Sequence, residues 1–198
     1  MTKPARVVVT KERTVHTYAE LWHASYCMLQ TGIENPDGAS WQFLSSLLLT
    51  AFTFEAYMNH IGPSLFKVWQ MHLDRLPPLG KFELLCENLA VSFPGGWGAR
   101  PLQTVKKLFD FRNTMAHGRP EQLKTRPKVH TVESYHSDLH EEPLTDWEQL
   151  IQTASFAQCA REDVSIVLAA LHERRPDPKE GLFTFGLGLH SADLVQEP

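Results

Sequence analysis

The chain holds only three cysteines, and no two of them are close together. Cys27, Cys86 and Cys159 are odd in number and lack any C-x-x-C spacing, which argues against a disulfide framework or a zinc ribbon. Such cysteine usage fits a reducing, cytoplasmic setting. Long hydrophobic runs are missing too. The most apolar stretch, residues 47–58, is too short to span a bilayer and carries Glu55, so no membrane span is expected. Residues 1–13 are polar and basic apart from Val7, Val8 and Val9, and they lack the apolar core of a signal peptide. There is no internal repeat and no low-complexity tract. The glycine-rich stretch 94–98 lacks the G-K-[ST] ending of a phosphate loop and follows no predicted strand, so it reads as a structural turn. Ser45, Ser46 and the scattered cysteines carry no motif that argues for nucleophilic catalysis.

What is present is a chain of 198 residues, long enough for one domain with a real core. The formal net charge is -4, which speaks against a generic nucleic-acid binder. The charge is unevenly spread. Between residues 100 and 130 lie Arg100, Lys106, Lys107, Arg112, Arg119, Lys124, Arg126 and Lys128, against only Asp110 and Glu121. That segment is strongly basic and the remainder is acidic. A local positive field of this kind suits a phosphate-bearing ligand. A solvated helix face followed by a basic loop would give the same composition.

Apolar periodicity predicts helices almost throughout. Residues 14–33 carry Val15, Tyr18, Leu21, Trp22, Tyr26 and Leu29 near a 3.6-residue period. Asn35-Pro36-Asp37-Gly38 marks a turn. Residues 40–61 are apolar nearly all round, as expected of a central helix. Gly62-Pro63 is expected to kink or interrupt it before helix resumes to about residue 76. Further helices are expected over 81–91, from Pro101 to Gly118, and as one long element over 147–174 capped by Thr145 or Asp146. Residues 119–142 show no periodicity and read as a long insertion. The expected architecture is therefore all-α, a single bundle of four to six helices over residues 1–175, with a tail over 176–198 that is a short strand or disordered.

The chemistry concentrates at Phe111-Arg112-Asn113-Thr114-Met115-Ala116-His117-Gly118. Arginine is a permanent cation that forks onto phosphate. Histidine is the side chain best suited to moving a proton near neutral pH. On a continuous helix the two lie about 140° apart, at about 100° per residue, so they share a face poorly. A frayed helix end at His117, permitted by Gly118, would relax this, as would two motifs meeting across a two-fold axis. Arg112 paired with an acid and His117 capping the helix is the bland alternative. On the central helix, Glu55 and Asn59 are the conspicuous polar residues, one turn apart. Either both sit on an exposed sliver of that helix, or the carboxylate is buried and needs a cation, for which Arg112 is a plausible partner. His136 and His140, with His130, Glu141 and Glu142, have one-turn histidine spacing, but the surrounding polarity predicts a surface loop and no metal site.

Phe54-Glu55-Ala56-Tyr57-Met58-Asn59-His60, followed by Phe111-Arg112-Asn113-Thr114-Met115-Ala116-His117, resembles the paired helices of HEPN domains and their Arg-x4-6-His signature. The resemblance implies a HEPN-like homodimer with the two motifs facing each other in a basic cleft. It implies metal-independent endoribonuclease activity, with no cofactor, in a toxin–antitoxin or phage-defence setting. Arg112, His117 and Asn113 would be catalytic, with Glu55 and Asn59 supporting them. Lys106, Lys107, Arg119, Lys124, Arg126 and Lys128 would bind the RNA. An antitoxin or other protein partner stays open. In one branch of the family a tyrosine shortly after the histidine is modified. Here Gly118, Arg119 and Pro120 follow, so that regulation is not expected. Two other readings stand beside the nuclease: a non-catalytic module binding RNA or protein, and a structural helical dimer subunit.

Overall fold

The computed structural model describes residues 6–125, 128–129, 131–132, 140, 142–176, 178 and 180–194, and it is mostly helical. Helix α1, Thr17–Glu34, and helix α2, Ala39–Leu65, form an antiparallel hairpin around the predicted Asn35-Pro36-Asp37-Gly38 turn. Gly38 closes that turn with φ 74, a left-handed conformation that glycine adopts without steric cost. Tyr18, Ser25, Leu29 and Gly32 point inward from α1 at alternating steps of seven, four and three residues. The small residues let the helices approach closely, and the Ser46 hydroxyl donates to the Ser25 carbonyl inside the seam at 2.8 Å.

Helix α2 is central, and α1, α3, α4 and α6 all pack against it. Leu47, Ala51, Phe54, Tyr57, Met58 and Ile61 are fully buried along it. It is not apolar on every side in use, however, since Trp41 is 66% exposed and Phe52 is 40% exposed. The expected interruption at Gly62-Pro63 does not occur, and α2 continues to Leu65 with Pro63 inside it. Gly62 has a packing reason instead: a Cβ there would overlap the buried Trp69 ring. Trp69 belongs to a single wide helical turn, Trp69–Leu73.

Helix α3 is Pro78–Leu89 and starts on a proline whose missing N–H costs a helix nothing at that position. Helix α4, Leu102–His117, follows Pro101. The long C-terminal helix predicted from residue 147 is two elements, α5, Asp146–Leu150, and α6, Ser155–Glu173. No glycine or proline marks the break. It comes where Ile151 turns into the core, leaving α6 to bury Ala157, Ala160, Val164, Val167, Leu168 and Leu171. Thr145 caps α5 as expected: it accepts from the Glu148 N–H, and the Glu148 carboxylate accepts from the Thr145 N–H at 2.7 Å.

Strands β1, Val7–Arg13, and β2, Gly188–Leu194, pair antiparallel, Val7 opposite Leu194 and Arg13 opposite Gly188. The segment leading into β2 lies against the helices. Phe183 stacks on Trp22 with centroids 4.4 Å apart. His16 Nδ1 donates to the Thr184 carbonyl at 2.9 Å, and His172 Nε2 donates to the Glu180 carbonyl at 2.9 Å. The Glu180 carboxylate accepts from His60 Nε2 at 3.2 Å and from Arg175 at 3.3 Å.

Candidate functional site

Arg112 lies on α4 one turn past Leu108 and Phe109, two core residues, and so leans toward α2. There its Nη2 meets Glu55 Oε2 at 3.5 Å. Its Nη1 donates to Asn113 Oδ1 at 3.1 Å. The guanidinium carbon lies 5.9 Å from the centre of the Phe52 ring. The predicted pairing of Arg112 with Glu55 is therefore formed, at the long end of ion-pair distance, with each side chain about a quarter exposed.

A second cation completes the cluster. Lys81, at the start of α3, is 2% exposed. Its Nζ donates to Asn59 Oδ1 at 2.9 Å and sits 3.6 Å from Glu55 Oε1. Asn59 and Glu55 thus face the same cation from successive turns of α2. Lys81 was not singled out from the sequence. A signal was present, because Lys81, Leu85 and Leu89 repeat at four-residue spacing on the buried side of α3. A lysine on an apolar stripe needs an anion. Glu55 is that anion for both Lys81 and Arg112, and among the described residues no other carboxylate forms an ion pair with either.

Two cations share one carboxylate, and of the two only Arg112 reaches the surface. There, Leu48, Phe52, Arg112, Met115 and Ala116 line a shallow cleft of about 190 Å³. Its walls are apolar apart from the guanidinium. The arrangement suits an anionic group attached to an apolar or planar body.

His117 takes no part in this cluster. It is exposed, the last residue of α4, and forms no hydrogen bond or ion pair among the described residues. The frayed ending expected there is absent. α4 stays helical through His117, and Gly118 is extended at φ -50 and ψ 138 rather than left-handed. Regular helix geometry keeps His117 about 140° around from Arg112, so one chain does not bring the pair onto a common face.

The basic segment divides. Arg100 is taken up by Asp163, to which Nε and Nη2 donate at 2.8 and 2.9 Å, and by Glu162. Lys107 lies over the Phe156 ring, 5.1 Å from its centre. Lys106, Arg119, Lys124 and Lys128 are exposed. Arg126, His130, His136 and Glu141 lie outside the described residues. His140 and Glu142 are exposed, and the described residues contain no group of three metal-ligating side chains placed to share an ion. Among the described residues no helix is long and apolar enough to cross a membrane.

Known proteins do not decide the matter. Comparison with family models, with curated proteins and with solved structures finds no match.

Proposed function

We propose that the chain is a HEPN-like, metal-independent endoribonuclease that acts as a homodimer. The observation that carries this reading is the charge balance around Glu55. Arg112 is held by one carboxylate that Lys81 also uses, which leaves the guanidinium electrostatically available to a phosphate beside an open cleft. Arg112 binds the non-bridging oxygens of a phosphodiester and stabilises the charge that builds on them. Asn113 fixes the guanidinium by accepting from Nη1. His117, exposed and without a bonding partner among the described residues, comes from a second copy across a two-fold axis, since it lies about 140° around α4 from its own Arg112. It takes the proton of a ribose 2′-OH. The 2′ oxygen then attacks phosphorus, the P–O5′ bond breaks, and a second imidazolium delivers a proton to the leaving oxygen. The products are a 2′,3′-cyclic phosphate and a 5′-hydroxyl. A toxin or defence setting, with an antitoxin or other protein partner, follows from the family resemblance alone.

The separation of His117 from Arg112 within one chain favours a second reading, a non-catalytic module that binds RNA or a protein through the same basic cleft. An RNA cleavage assay in EDTA separates the two. The nuclease reading expects cyclic-phosphate ends, a loss of about 10²–10⁴ in rate for His117→Ala, and retained RNA binding in that variant. RNA binding without cleavage by the wild type, or cleavage that His117→Ala leaves intact, refutes it. Loss of stability in Arg112→Ala with no RNA interaction to lose would instead mark a structural subunit.

A further inference from the structure

The face of α2 that meets Arg112 continues past Glu55 to a second cleft. Phe52, Glu55, Ala56, Asn59 and His60 share that face, and Phe52 to His60 spans about 12 Å of helix rise. At the far end, Val15, His16, Tyr18, Ala56, Asn59 and His60 line a cleft of about 390 Å³, larger than the one beside Arg112.

Its polar groups are defined by what holds them from behind. His16 Nδ1 donates to the Thr184 carbonyl, which can only accept, so the neutral ring keeps Nε2 as an acceptor. His60 Nε2 donates to the Glu180 carboxylate, so its Nδ1 is the acceptor. Burial pushes the His60 pKa down, against the pull of Glu180, which favours the neutral ring. Asn59 gives its oxygen to Lys81, which leaves its amide N–H groups as donors. Tyr18 is fully buried, and its hydroxyl finds no partner among the described residues. The rings of His16, Tyr18 and His60 lie 4.7 to 5.7 Å from one another and make an aromatic wall.

We propose that this cleft binds a nucleobase. Two imidazole acceptors beside amide donors match the mixed N–H and C=O edge of a base, and aromatic side chains are the usual platform for an unstacked one. A phosphodiester group accepts only, and the Glu180 carboxylate behind His60 disfavours an anion. The link to the Arg112 cleft along α2 rests on the ribonuclease reading. The base site itself does not.

Nucleosides titrated into the full chain at pH 7.5 test it, read by the imidazole nitrogen and carbon NMR signals of His16 and His60. At least one nucleoside is expected to shift both rings. His16→Asn, which keeps a donor for the Thr184 carbonyl and removes the ring acceptor, should weaken that binding by about ten-fold. His60→Gln should weaken it at least as much. Nucleoside binding is read without any RNA cleavage, so the site survives failure of the nuclease reading. A short single-stranded oligoribonucleotide that displaces the nucleoside identifies the base as part of a strand, and lack of displacement identifies a free nucleoside as the ligand. No response of His16 and His60 to any of the four nucleosides overturns the proposal. So does binding that shifts only residues around Phe52 and Met115, or that His16→Asn and His60→Gln both leave unchanged.

Discussion

A single carboxylate, Glu55, holds two cations of unequal burial, and the inequality decides what each substitution does. Lys81 is almost wholly buried, while Arg112 can swing toward water. Removing the charge in Glu55→Gln leaves the lysine inside without a counter-charge. The expected cost is about 3 kcal/mol, the low end for a broken buried pair because Glu55 itself is partly exposed. Lys81→Met should cost far less, since it removes the buried charge together with its need for a partner. It should also weaken RNA binding, because Glu55 then neutralises Arg112 fully. Denaturant unfolding and an RNA titration of the two variants check this. Equal stability loss in both would show that Lys81 is not held by Glu55. The Glu55–Arg112 half of this cluster was legible from the sequence, because a lone acid on an apolar helix demands a cation. The Lys81 half is fainter, because Arg112 alone meets the demand and only the four-residue spacing of Lys81, Leu85 and Leu89 marks the lysine as buried.

Element boundaries were legible where the backbone itself needs a particular residue, and less so where packing decides. The Thr145 cap belongs to the first kind. Its side chain and its own N–H exchange bonds with Glu148, and Thr145→Ala is expected to cost about 1 kcal/mol by thermal unfolding. The bonds from the Thr145 backbone and side chain hold the Glu148 carboxyl below the usual carboxylate range. This contribution is therefore present above the ordinary glutamate pKa and is lost as pH falls through the lowered one. A Thr145→Ala effect that stays unchanged across that acid range would contradict the reciprocal cap. The Ile151–Ala154 break belongs to the second kind. Its apolar pattern continues without a breaker, and only the burial of Ile151 shows where the chain turns. Gly62-Pro63 errs the other way: both residues signal a break, yet α2 carries them because Trp69 occupies the space that Gly62 leaves open.

At the scale of the molecule, the segment before β2 is seated by histidines, which makes its attachment sensitive to acid. Burial holds the His60 pKa below its ordinary value. Burial pushes the Glu180 carboxyl upward, and the bonds from His60 and Arg175 outweigh it, so that carboxyl also titrates below its usual range. In both cases the unfolded chain binds more protons than the folded one, so stability should fall as pH drops below about 6.5 toward the carboxylate range. A variant lacking residues 176–198 should be less stable at neutral pH and should show a flatter pH dependence of its unfolding midpoint over that window. A midpoint as steep as that of the full chain would place the acid sensitivity elsewhere. The β1–β2 ribbon was outside what periodicity could reveal, because its strands come from opposite ends of the sequence and are exposed on both faces. Its antiparallel sense has a mechanical meaning. Val7 and Leu194 sit together at one end of the ribbon, with Arg13 and Gly188 at the other. Tension applied through the chain outside Val7 and Leu194 therefore unzips the ladder one register pair at a time instead of shearing it all at once. The load then reaches the His16–Thr184 contact and the Trp22–Phe183 stack, and only after these give way does it act on the helices that carry Glu55 and Arg112.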